Sequence, residues 1–75
     1  MKIEDMKREL ANLKRSYANE LDRMRGRVRD AQTKLEGDRF SDHDAFNMAA
    51  TAQNLAVLAG KIEQTANVIR WMEAK

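Results

Sequence analysis

The stretch Leu35-Glu36-Gly37-Asp38-Arg39-Phe40-Ser41-Asp42-His43-Asp44-Ala45 carries the signals of a chain reversal between two helices. Gly37 follows a periodic apolar residue, Leu35, where a helix commonly ends on a left-handed residue. Further on, Ser41-Asp42-His43-Asp44 has the spacing of a capping box, in which the serine accepts from the Asp44 amide and Asp44 reaches back. Asp42 and Asp44 also set negative charge at the positive end of the new helix dipole. The stretch therefore predicts a helix ending near 36, a turn over 37–41, and a second helix starting near 42.

Upstream, a helix over about 3–36 is predicted from the apolar series Ile3, Met6, Leu10, Leu13, Tyr17, Leu21, Met24, Val28, Ala31 and Leu35. Its steps alternate between three and four, except for two consecutive fours around Tyr17, which read as a coiled-coil stutter. Downstream, a helix over about 42–73 repeats alanine every seven residues at Ala45, Ala52, Ala59 and Ala66. A large apolar residue follows three positions later each time, at Met48, Leu55, Ile62 and Ile69. Folding the chain back at Arg39 and Phe40 pairs positions whose numbers sum to about 80. Leu35 then meets Ala45, Val28 meets Ala52, Leu21 meets Ala59, and Leu13 meets Ala66. Small residues facing large ones let antiparallel helices approach closely. The predicted fold is an all-α, antiparallel, coiled-coil-like two-helix hairpin with these alanines in its seam. Leucine at Ala52 or Ala59 would then overfill the seam, at about 1–3 kcal/mol each.

Seventy-five residues make a single domain, 1–75, small for a self-sufficient core. Such chains are usually reinforced by disulfides, a metal or association. Cysteine is absent, and His43 is the one histidine, too little for a zinc site. Association remains, and a homodimer forming a four-helix bundle is expected. Charged residues make up 35% and the net charge is only +2, so the regular apolar spacing argues against disorder. Met1 is followed at once by Lys2-Ile3-Glu4-Asp5, unlike a signal peptide, and the uncharged run from Ala45 to Gly60 is too short to span a bilayer. A soluble, cytoplasmic, complete small product with no membrane association is expected.

Helix 2 carries more apolar surface than one partner helix covers. Leu58 and Met72 form a column beside the alanines with Thr51 and Thr65, and Val57, Val68 and Trp71 extend it. Exposed apolar patches mark interfaces, and tryptophan is favoured at binding hot spots. Val57, Leu58, Val68, Trp71 and Met72 are therefore the candidate partner-binding set; the competing reading is self-association. Arg23, Arg25, Arg27 and Arg29 could grip phosphates or an acidic partner. Their bland reading is solvated stems flanking the seam, with Glu20, Asp22 and Asp30 in helical reach. Gly26 marks either a close backbone approach or a tolerated helix weakness. Asp42, His43 and Asp44 point about 100° apart on a helix, so they read as capping residues and not as metal ligands.

No nucleophile setting, phosphate loop or deep pocket is legible, so no catalytic site, cofactor, metal or small-molecule substrate is expected. The architecture resembles small helical hairpins that serve as secretion co-chaperones, plasmid RNA regulators or phage-encoded inhibitors. That resemblance rests on no shared residue motif. Nothing is carried over from it; the apolar face of helix 2 makes a protein-binding inhibitor, adaptor or co-chaperone the expected function, for example a phage or mobile-element accessory protein. The alternatives are a nucleic-acid-binding regulator using the Arg23–Arg29 segment, and a structural subunit of a larger assembly.

Overall fold

A computed structural model describes residues 2–74. It contains two helices, α1 (Ile3–Glu36) and α2 (Asp42–Glu73), packed along one another as an antiparallel hairpin of 58 × 15 × 15 Å. Neither helix is long and apolar enough to cross a membrane.

The turn closes as the sequence implies at its second half and differently at its first. Asp44 Oδ2 accepts from the Ser41 amide at 3.0 Å and from the Ser41 hydroxyl at 3.1 Å, within a capping box. At the end of α1, however, Gly37 is not left-handed; its φ is −95°. Asp38 takes that conformation instead, with φ 57°. The Arg39 amide donates to the Lys34 carbonyl at 2.7 Å and the Asp38 amide to the Leu35 carbonyl at 3.3 Å. These two bonds make a Schellman closure one residue later than expected, with Asp38 in the left-handed place and Gly37 as the cap. Aspartate tolerates this region better than most residues do.

The seam also differs from the apolar stripe. On α1 the inward residues are Ile3, Met6, Leu10, Leu13, Tyr17, Glu20, Met24, Arg27, Ala31 and Lys34, all half-buried or buried. Steps of three and four alternate throughout, so no stutter occurs. After Tyr17 the repeat runs on through polar residues, while Val28 and Leu35 stand exposed at 37% and 59%. On α2 the inward residues are Met48, Thr51, Leu55, Leu58, Ile62, Thr65, Ile69 and Met72. Thr51, at 2%, is the least exposed of them, its hydroxyl donating to the Asn47 carbonyl at 3.0 Å. Ala45, Ala52 and Ala59 are exposed and Ala66 is half-buried, so the alanine column borders the seam instead of filling it.

The register survives this correction. Lys7 and Glu73, whose numbers also sum to 80, form an ion pair at 3.4 Å. They extend the two seven-residue columns to the open end of the hairpin: Lys7, Lys14, Leu21, Val28 and Leu35 on α1, and Ala45, Ala52, Ala59, Ala66 and Glu73 on α2. The large and small residues do face across the chain, but along one edge of the hairpin.

Candidate protein-binding faces

The hairpin has two long edges of different chemistry. One holds the Leu21, Val28 and Leu35 column opposite the alanine column. Ala49 and Ala56 lie one helical turn from those alanines, on the same side of α2, and both are exposed. The half of this edge nearest the turn is thus apolar, with Leu21 half-buried and Val28, Leu35 and the alanines exposed. A surface recess of about 320 Å³, lined by Met24, Arg25, Val28, Arg29 and Gln32, adjoins it.

The other edge is polar and cross-linked. Lys34 donates to Asp44 at 2.6 Å and pairs with Asp30 at 3.3 Å, tying α1 to the start of α2. The Lys34 ammonium, followed by the Ser41 amide, holds the Asp44 carboxyl down to about 2. The bonds to Asp44 and Asp30 in turn raise the Lys34 ammonium above its ordinary range. Glu20 accepts from the Asn54 amide group at 3.1 Å and pairs with Arg23 at 3.2 Å. Both contacts exploit the polar residues that the seam repeat turns inward on α1.

The five candidate partner-binding residues divide. Leu58 and Met72 belong to the seam, half-buried inside the hairpin. Val57, Val68 and Trp71 stand exposed at 48%, 37% and 61%. Their spacing puts these three on the flank of α2 that borders the polar edge, away from the alanines. A recess of about 350 Å³ opens beside Val57, between Ser16 and Glu20 of α1 and Asn54 and Leu58 of α2.

The four arginines do not converge. Arg23 pairs with Glu20 and Arg25 with Asp22, the latter at 2.9 Å. Arg27 turns into the seam, where its Nε is buried without a hydrogen-bond partner. Arg29 lies on the outer face. Alternation along the sequence distributes them around the helix, since consecutive odd positions differ by about 200°.

Asp44 is committed to Lys34 and Ser41, and among the described residues no group of three or more metal-ligating side chains gathers. Gly26 meets nothing within 4 Å where a side chain would begin, so no other backbone approaches it. Sequence reasoning missed the edge where Val28 and Leu35, next to half-buried Leu21, stand exposed beside Ala45, Ala52 and Ala59. The missing signal was the 3-4 rhythm of residues 3–17, which lands on Glu20, Arg27 and Lys34 when continued without a stutter. No protein-family model, curated protein or solved structure matches this chain.

Proposed function

We propose that this chain is a non-catalytic protein-binding module, an inhibitor, adaptor or co-chaperone, that engages its target through the Val57, Val68 and Trp71 flank of α2. The observation carrying the reading is the exposure of three large apolar side chains on that flank, beside the recess next to Val57. A tryptophan with valines around it supplies the apolar anchor typical of hot spots, and the neighbouring Ser16, Glu20 and Asn54 supply a polar rim. Leu58 and Met72 contribute indirectly, by holding α2 against α1.

The nucleic-acid alternative has less behind it. A phosphate-tracking surface needs cations gathered on one face, whereas two of the four arginines are paired with carboxylates and one turns inward.

The test is capture of a partner from the native host by tagged chain, with variants compared in parallel. Partner recovery is expected to fall at least 10-fold for Trp71→Ala and for Val57→Asp, helicity being retained, because hot-spot truncations cost about 2 kcal/mol or more. Changing Arg23, Arg25 and Arg29 together to glutamine is expected to leave recovery within a few-fold. The opposite ranking, or a nuclease-sensitive capture, overturns the proposal.

A further inference from the structure

The uncovered edge opposite the Trp71 flank points to an occupant of its own. The chain exposes 5793 Å², whereas a folded monomer of 8.6 kDa exposes about 4,700 Å². The excess, about 1,100 Å² spread over the whole rod, is comparable with the ~800 Å² that each partner gives to a standard interface. A hairpin closed on one seam therefore leaves enough surface open for a stable association.

Size and charge along the edge select the occupant. Near the turn, α1 presents Leu21, Val28 and Leu35, and α2 presents Ala45, Ala52 and Ala59. Toward the open end, α1 presents Lys7 and Lys14, and α2 presents Glu63 and Glu73 with Arg70 between them. Each helix is thus the complement of the other in bulk and, with Glu4 beside the two lysines and Arg70 between the two glutamates, by one net base on α1 against one net acid on α2. A two-fold axis along the length of the hairpin lays α1 of one copy on α2 of the other, turn beside turn. Large residues then fall on small ones, and lysines fall beside glutamates. An axis across the hairpin would lay α1 on α1, setting large on large and, at full overlap, the apolar half against the charged half.

We propose that this edge binds a second copy of the chain in the turn-beside-turn arrangement, making a four-helix bundle in which Val28 of each copy covers Ala52 of the other. The Trp71 flanks stay on the outside of that bundle, so this surface and the partner-binding flank stand or fall separately.

Sedimentation at micromolar concentration, together with cysteine cross-linking, tests the arrangement. Wild-type chain is expected at twice 8.6 kDa, and Trp71→Ala at the same doubled mass. Ala52→Glu, a change at an exposed helix position, is expected to halve the mass. Because the chain has no native cysteine, a Val28→Cys chain mixed with an Ala52→Cys chain is expected to give a disulfide-linked dimer on oxidation. Val28→Cys alone is expected to give little. That readout does not require the monomer to be stable. A monomeric wild type, a doubled mass that survives Ala52→Glu, or efficient self-linking of Val28→Cys overturns the proposal.

Discussion

Asp38, not Gly37, bears the unusual backbone of the turn, and the two residues should answer substitution accordingly. Gly37 sits at φ −95°, open to alanine, and an added side-chain carbon would meet the flexible end of Arg39 at 3.3 Å and the Thr33 carbonyl at an ordinary 3.7 Å. Gly37→Ala should therefore be neutral or stabilise by up to ~1 kcal/mol, through a less disordered unfolded chain. Asp38→Val should destabilise by about 1–2 kcal/mol, because a β-branched residue resists the left-handed region. Thermal melts of the two variants distinguish this turn from one with a left-handed Gly37, which reverses the order. The sequence marked the glycine but could not show which neighbour bends, since a Schellman closure accommodates either register. Asp44 gives a second residue-level expectation. Its carboxyl is held at about 2, below the ordinary 3.8, so its contribution is present above about pH 4 and is lost as pH falls through about 2. Lys34, raised above 10.5, contributes below that value and loses its contribution as pH rises through its own. The pair is thus intact between roughly pH 4 and 10. Acid titration should lower the melting temperature of wild type more than that of Asp44→Asn. Equal acid sensitivity would mean that the bond to Lys34 contributes nothing.

For the elements, the lesson is that rhythm outranks apolarity. The capping box at Ser41 and the register near 80 were legible because each depends on spacing alone. The seam of α1 was legible from Ile3 to Tyr17 and again at Met24 and Ala31, whereas Leu21, Val28 and Leu35 stood in for Glu20, Arg27 and Lys34, the polar residues one place earlier. A helix turning about 100° per residue makes that one place decisive. The same error moved Leu58 and Met72 from the seam to the surface and put the alanines inside. Of the residues singled out for binding, Val57, Val68 and Trp71 stay exposed on the flank of α2 that borders the polar edge. Two substitutions check the seam. Thr51, nearly sealed, should tolerate leucine poorly, at about 1–3 kcal/mol from overpacking. Arg27→Leu should stabilise the hairpin by about 1–3 kcal/mol, because it removes a buried Nε without a partner and keeps the apolar stem's place. Denaturant melts that find Arg27→Leu destabilising would show that the guanidinium does something essential there.

Taken whole, the molecule is a rod with two unlike sides. Its radius of gyration is 17.0 Å, against about 11 Å for a globular chain of this length. A rod this thin buries little: among the described residues only Ala31, Thr51 and Ile69 are buried. In the proposed dimer a second copy covers the Leu21, Val28 and Leu35 edge, and association and folding then become one equilibrium. Melting by circular dichroism across a hundredfold range of chain concentration tests that coupling directly. The melting temperature is expected to climb steadily with concentration, and to climb far less in Ala52→Glu. A wild-type melting temperature that stays constant from the most dilute to the most concentrated sample would contradict the coupling.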